Sequence, residues 1–329
     1  MTAARICIVG PGAIGGWLAA RLALAGEDVS VLARGAALER IRKHGLELHS
    51  AGGRDVVPVR ACATAGEVGP QDIVFVTVKA PALPALAPSL RELLHEGSTL
   101  LSAGNGLPWW YLLGPDRPLG GRRLHSVDPL GETEGSIALS HVLGLSVFAS
   151  CHMSQPGVVH HNSGSRLVLG EPGGGISARV TDVAGRLQAA GFDAQASDDI
   201  RRDIWNKLLG NACFNPVSLI TGSSNDGMLG DPALHGMFMR MMQEAIEVGE
   251  RLGLRLDVDP AQRIAQAGRL GNIKTSMLQD VEAGRSPEIE PILGSLVECA
   301  TALDMPVPTL STVLAMARLR ARSAGLPGY

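Results

Sequence analysis

The apolar positions of the first hundred residues fall into short continuous runs with a helical pattern between the first two. Ile6-Cys-Ile-Val9 and Val29-Ser-Val-Leu32 flank a stretch whose apolar residues, from Ile14 to Leu24, recur at helical spacing. Asp72-Ile-Val-Phe-Val-Thr-Val-Lys79 and Ser98-Thr-Leu-Leu-Ser102 follow. Runs that are apolar at almost every position suit strands covered on both faces of a parallel sheet. From about residue 120 to 170, Val, Leu, Ser and His alternate around Pro156-Gly157 and Gly164, which predicts a hairpin-rich extension of that sheet. A helix from about Ala178 to Ala190 and a strand near Phe192 to Ala194 complete a first domain over 1–198.

From 199 to 329 the period is helical. Asp231-Pro232 and Asp259-Pro260 each place a capping carboxylate before a proline at the first helical position. Ser286-Pro287-Glu288 predicts a further helix with the stripe Ile289, Ile292, Leu293, Leu296, Val297 and Ala300. The fold class is therefore α/β, with an all-helical second domain over 199–329.

The turn after the first strand reads Gly10-Pro11-Gly12-Ala13-Ile14-Gly15, a Gly-x-Gly-x-x-Gly between a strand and a helix. Gly10 permits the tight turn, Gly12 lets the backbone approach a pyrophosphate, and Gly15 lets helix and strand pack closely. The phosphates would lie at a helix N-terminus, where unpaired N–H groups and the dipole favour negative charge. The second strand ends in Ala33-Arg34, with no acidic residue to bond a ribose 2′-hydroxyl. An arginine there suits a 2′-phosphate, so NADPH is expected over NADH. Lys79 and Asn105 follow later strands at their carboxyl ends, where ligands of open α/β sheets gather, and are expected to face the nicotinamide half of the cofactor.

A second constellation lies in Ile200-Arg-Arg-Asp-Ile204-Trp-Asn-Lys207-Leu208-Leu-Gly-Asn211-Ala-Cys-Phe-Asn215-Pro216. At about 100° per residue, Lys207, Asn211 and Asn215 share one helical arc with Ile200, Ile204 and Leu208. A cation and two amides on an apolar stripe are expensive to bury unless they line a cleft holding polar ligand groups. Ser276 and Glu288 are further candidates for bonding a small acid or alcohol, although a carboxylate in a helix's first turn also has a purely dipolar rationale.

Composition narrows the classes. The chain has 329 residues, 45% of them hydrophobic, and a formal charge of −3. That allows a large core in two domains and offers no basic stripe for nucleic acid and no polybasic anchor for a membrane. No apolar run is long enough for a membrane helix, and the N-terminal run is too short for a signal peptide. Five scattered cysteines without Cys-x-x-Cys suit a reduced, cytoplasmic setting. His152, His160 and His161 near Cys151 match no zinc-ligand spacing, so no metal is expected. The methionine-rich helix from Leu234 suits core or a homodimer surface.

These segments together resemble the ketopantoate reductases. The resemblance is carried by Gly10-Pro-Gly-Ala-Ile-Gly15, Val78-Lys79-Ala80, Asn105-Gly106, Trp205-Asn-Lys207-Leu-Leu-Gly-Asn211 with Asn215-Pro216, and Lys274-Thr-Ser276-Met-Leu-Gln279-Asp280 with Glu288. It implies a Rossmann domain followed by a helical domain like that of 6-phosphogluconate dehydrogenases, and NADPH-dependent reduction of 2-dehydropantoate to pantoate in pantothenate biosynthesis. It further implies that Lys207 is the general acid and that Glu288 accepts a hydrogen bond from the substrate hydroxyl. Asn211, Asn215 and Ser276 match substrate-binding positions, Lys79 and Asn105 cofactor-side positions, and Arg34 the 2′-phosphate contact. Gly104, where many members carry glutamine or histidine, and Leu107-Pro-Trp-Trp110 depart from the family pattern and are expected to reshape the cleft. Reduction of another small 2-oxo acid, or non-catalytic binding of NADP(H) by a regulatory protein, are the alternatives.

Overall fold

The computed structural model of the chain describes residues 2–114, 118–269 and 271–329. The apolar runs become β1 (Arg5–Val9), β2 (Asp28–Leu32), β6 (Ile73–Val76) and β7 (Thr99–Ser102), with β3 (Leu46–Ser50), β4 (Gly53–Val57) and β5 (Arg60–Cys62) between the second and third of them. Two long strands, β8 (Val142–Gln155) and β9 (Val158–Gly170), and a short β10 (Asp193–Ala196) complete a ten-stranded sheet. Its order is β4-β3-β9-β8-β7-β6-β1-β2-β5, with β10 also beside β9. From β5 to β8 every neighbouring pair is parallel. That is the doubly wound order, with its switch point between β1 and β6.

The central strands are buried along almost their whole length, as their continuous apolar runs require. The helix Ala13–Leu24 contributes buried Trp17, Leu18, Ala19, Ala20 and Leu22 to the same core. The hairpin-rich extension is narrower than expected. Only 142–170 is a hairpin, turning at Pro156-Gly157, and β8 and β9 pair antiparallel with register shifts. The β3–β4 hairpin, absent from the sequence reading, adds to the outer side of β9. The helix Ala178–Ala189 and β10 lie close to their expected places.

The chain divides into two compact units. One runs to Gly104 and resumes over Gly131–Asp203; the other comprises Asn105–Leu130 and Ile204–Tyr329. The sequence reading placed one boundary at residue 198. The chain instead changes unit three times, because 105–130 packs with the helices. Leu107, Trp109, Trp110 and Tyr111 are buried there, and the Tyr111 ring stacks on Trp205 at 6.0 Å. The backbone N–H groups of His125 and Ser126 both donate to the Glu298 carboxylate, at 2.7 and 2.8 Å. The Leu107–Trp110 continuation is thus core of the helical unit.

Within that unit the helices Ile200–Thr221 and Pro232–Arg251 meet at Trp205, which is fully buried and donates through Nε1 to the Ala245 carbonyl at 3.1 Å. Gly249 makes the approach possible: a Cβ there would stand 2.5 Å from Trp205 Nε1 and 2.6 Å from Leu256 Cδ1. Asp231 and Asp259 cap their helices as expected, each accepting from the N–H two residues on. Gly249→Ala should lower unfolding stability by about 2 kcal/mol through overpacking against Trp205. Urea denaturation of the two proteins measures the difference, and an unchanged midpoint would contradict the packing described.

Candidate functional site

In the first unit the glycine turn follows β1 at the switch point. Gly10 has φ of +85°, a conformation open to glycine, and its carbonyl accepts the Thr77 hydroxyl at 2.6 Å. Thr77 also bonds the Val9 carbonyl at 3.0 Å, so β6 yields to a loop after Val76 and its threonine fastens the turn. The sequence reading missed Thr77, which lies inside a run that looked like uninterrupted strand. A Cβ on Gly15 would collide with Thr77 Oγ1 and stand 2.5 Å from the Gly10 carbonyl oxygen. A Cβ on Gly12 would meet nothing nearer than that oxygen, at 4.0 Å.

Those two glycines therefore serve different ends. Gly15 is required by packing of the chain on itself, whereas Gly12 faces space that the protein leaves open. The helix Ala13–Leu24 starts beside that space with no side-chain cap and no acidic residue in its first turn. Its first N–H groups, at Ala13 and Ile14, have no intrahelical acceptor by the geometry of a helix end. A pyrophosphate fits this cradle: open backbone, unpaired donors and an uncompensated dipole. Arg34 is exposed just beyond β2 and starts the helix Gly35–His44 in an extended conformation. Lys79 precedes the short 3₁₀ turn Ala80–Ala82 after β6, on the other side of the switch point.

In the second unit three predicted residues come together. Lys207 Nζ donates to Asn105 Oδ1 at 3.0 Å, and Asn105 Nδ2 donates to Glu288 Oε2 at 3.2 Å. Asn105, expected on the cofactor side, therefore bridges the ammonium and the carboxylate. The Lys207 stem is partly accessible, but protein atoms crowd its ammonium. That desolvation brings its pKa down to about 8, against the opposing pull of the Glu288 charge. Glu288 is only 8% exposed and precedes the helical turn that begins at Ile289. Its burial against a side-chain donor outweighs the dipolar rationale.

Asn105 is placed by the backbone behind it. Gly106 has φ of +86°, and a Cβ there would overlap the Pro291 carbonyl, which accepts the Leu107 N–H at 2.8 Å. On the helix Ile200–Thr221, Asn215 is 7% exposed and Asn211 half-buried. No hydrogen bond ties either carboxamide to another described residue, which leaves donors and acceptors for a ligand. Ser276 is exposed at the start of the helix Ser276–Glu282, and no hydrogen bond links it to the Lys207 group. Asn225, not singled out in the sequence, is buried with its side-chain oxygen unpaired, and its N–H bonds the Ile273 carbonyl at 2.9 Å beside the Ser276 segment. An asparagine at the start of the short helix Asn225–Leu229 carries no sequence signal for this.

The histidines near Cys151 do not converge. His49, His160 and His152 stack ring on ring across β3, β9 and β8, with centroids 4.5 and 4.7 Å apart. His161 stacks on Trp17. At Gly104 a Cβ would meet only the Ala80 Cβ, at 3.9 Å, so a larger residue there would have room.

A doubly wound sheet with a pyrophosphate cradle, joined in one chain to a helical unit that holds a desolvated lysine, defines a nicotinamide-dependent oxidoreductase. The family model described as ketopantoate reductase PanE/ApbA matches residues 6–174, and its C-terminal counterpart matches residues 199–321. The chain belongs to the ketopantoate reductase family. It is 42% identical to a 2-dehydropantoate 2-reductase of Mesorhizobium japonicum, over 98% of this chain and 99% of that protein. A Ralstonia solanacearum structure assigned as a ketopantoate reductase superposes with a TM-score of 0.94 at 43% identity, covering 98% of this chain and 99% of that one. D-mandelate dehydrogenase in ternary complex with NADH and anilino(oxo)acetate shares the fold, with a TM-score of 0.84 at 20% identity over 98% of this chain and 99% of its own. No described helix is long and apolar enough to cross a membrane.

The two glycines give a test of the cradle. Gly12→Ala should leave stability within about 0.5 kcal/mol, since the new methyl meets no protein atom, yet weaken NADPH binding at least tenfold. Gly15→Ala should lower stability by about 2 kcal/mol through the clash with Thr77. Fluorescence titration with NADPH and thermal melts separate the outcomes; normal NADPH affinity in Gly12→Ala would refute the cradle.

Proposed function

We propose that this chain reduces 2-dehydropantoate to pantoate with NADPH, the cofactor on which ketopantoate reductases depend. The observation that carries the reading is the Lys207–Asn105–Glu288 group: an acid whose pKa sits near the working range, held 3.0 Å from an amide that also engages a buried carboxylate. The relative of the same name at 42% identity supports it. We assign the first unit to the dinucleotide and the second to the substrate.

Bound NADPH supplies a hydride from C4 of its dihydronicotinamide. Arg34 would hold the 2′-phosphate, the turn from Gly10 to Gly15 would cradle the pyrophosphate, and Lys79 would face the nicotinamide half. Lys207 places its ammonium at the 2-oxo group of the substrate and gives the oxygen a proton from Nζ as charge develops there. The same cation stabilises the alkoxide character of the transition state. Asn105 fixes the ammonium, which spares Lys207 a rotamer search in each turnover. Glu288 accepts from the substrate's hydroxyl, while Asn211, Asn215 and Ser276 supply polar groups for its remaining oxygens. The cytoplasm is the compartment we assign, in keeping with five free cysteines, four of them buried.

The sign of the pH dependence follows from the acid. Lys207 must enter the reduction protonated, so kcat/KM for reduction should be level below about pH 8 and fall tenfold per pH unit above it. Initial rates of NADPH oxidation across pH 6 to 10 read this directly. A profile flat through that range would exclude Lys207 as the donor.

Lys207→Ala should lower kcat for 2-dehydropantoate by roughly 100- to 10,000-fold, the usual range for a general acid. Rates followed at 340 nm across a panel of 2-oxo acids test both acid and substrate. Turnover that survives the substitution sinks the mechanism, and preference for another panel member replaces the substrate. Arg34→Ala should raise KM for NADPH about tenfold, as loss of a charge-assisted bond implies, with KM for NADH unchanged. An unchanged NADPH preference would remove the 2′-phosphate assignment.

A further inference from the structure

Glu288 sits at the head of an irregular stretch of helix. Pro291 falls in the first turn of the helix that begins at Ile289, where a missing N–H costs no intrahelical bond, and the Pro287 carbonyl, lying before that helix, must find its partner elsewhere. The stretch Glu290–Gly294 widens into a π turn. Such turns expose backbone groups that a regular helix keeps to itself. Here the Pro287 carbonyl accepts the Tyr329 hydroxyl at 3.1 Å. The Pro291 carbonyl accepts the Leu107 N–H at 2.8 Å and the Ser295 hydroxyl at 2.6 Å.

The middle of the stretch is held as well. Arg318 grips Glu290 with a two-pronged contact, Nε to Oε1 at 2.7 Å and Nη2 to Oε2 at 2.6 Å. The Glu290 side chain folds back over Gly294, where any Cβ would strike it. The phenol of Tyr329 lies in this cluster, and burial with the Glu290 charge pushes its pKa up to about 12, so it stays a donor throughout the working range. Glu288 is therefore enclosed between an outer tether at Pro287 and an inner one at Pro291. The inner tether leads back, through Leu107 and Gly106, to Asn105, which bonds the Glu288 carboxylate.

We infer that Tyr329 is a positioning residue: by holding the Pro287 carbonyl it aims the Glu288 carboxylate, with Arg318 bracing the same turn through Glu290. The inference rests on the reading of Glu288 as acceptor for the substrate hydroxyl. It has a consequence that general stability does not. Aim at the hydroxyl matters only for a substrate that has one, and closeness to Lys207 matters for the lysine's proton whatever the substrate.

The test compares the full-length wild type with Tyr329→Phe, Arg318→Lys and Glu288→Gln. Substrates are 2-dehydropantoate and 3,3-dimethyl-2-oxobutanoate, which differs only by a methyl in place of the hydroxymethyl group. Tyr329→Phe keeps the ring and removes one hydrogen bond, so its preference for the hydroxylated substrate should fall about fivefold, the equivalent of one net hydrogen bond. The change should appear in KM, with kcat on the deoxy substrate unchanged. The upper pH limb of reduction should also move to lower pH, in the direction given by Glu288→Gln, because a carboxylate that drifts away no longer favours the Lys207 ammonium. Arg318→Lys, which keeps the charge and loses the fork, should act in the same direction.

Wild-type preference and wild-type pH limb in both Tyr329→Phe and Arg318→Lys, with Glu288→Gln altering them, would overturn the inference and leave the role of Glu288 standing. If Glu288→Gln leaves the substrate preference intact, the hydroxyl-acceptor reading fails instead. The pH limb needs no substrate hydroxyl and then decides Tyr329 alone: lowered, it supports the positioning role; unmoved, it refutes it.

Discussion

An ammonium crowded by protein is the constraint around which the helical unit is arranged. Burial lowers the pKa of Lys207 below that of a lysine in water, and the Glu288 charge works against that lowering. Asn105 Oδ1 accepts from the ammonium, and the charge of Glu288 favours its protonated form. Each supporting group then makes its own demands. Asn105 must come from a segment that docks on Pro291, and Glu288 must be buried with a donor of its own. The aromatic residues just after Asn105 anchor that segment among the helices, which explains why 105–130 leaves the sheet-bearing unit.

The dinucleotide cradle is governed by the opposite requirement, since it must leave space empty while the chain around it is tightly packed. Thr77 and Gly15 press against the Gly10 carbonyl, and Gly12 alone among the three glycines of the motif faces outward. The strength of the turn thus comes from hydrogen bonds and contacts on one side. The other side offers an uncapped helix end without acidic neighbours. A phosphate would supply the charge that this end lacks.

Local rules account for what the sequence made legible. Continuous apolar runs located β1, β2, β6 and β7, and Asp-Pro pairs located two helix starts, because strand burial and capping act within a few residues. The arc shared by Lys207, Asn211 and Asn215 was equally visible, since helix geometry alone puts them together. The contact of Asn105 with Lys207 spans about a hundred residues and depends on Gly106 and Pro291 fitting face to face, which no period encodes. Thr77 was hidden because β-branched residues suit a strand and a loop fastening alike. The β3–β4 hairpin was hidden because one of its strands is mostly exposed, so its apolar pattern is weak. Asn225 was hidden for another reason: an unpaired buried oxygen is a property of surroundings, never of the residue.

The π turn links these levels. Pro291 lies in the first turn of its helix, where proline is favoured, and Ser286-Pro287 marks where that helix starts. Pro287 lies before the helix and Pro291 in its first turn, so the residue that carries the carboxylate stands at the helix entrance, where neighbouring carbonyls look outward for partners. Groups from distant parts of the unit supply these: Tyr329 at one carbonyl, Leu107 at the other, and Arg318 through Glu290 between them. Through these bonds the helix entrance beside the carboxylate is tied to three separate elements. On the positioning inference, the aim of Glu288 is set by the fold of the whole helical unit and not by a single rotamer.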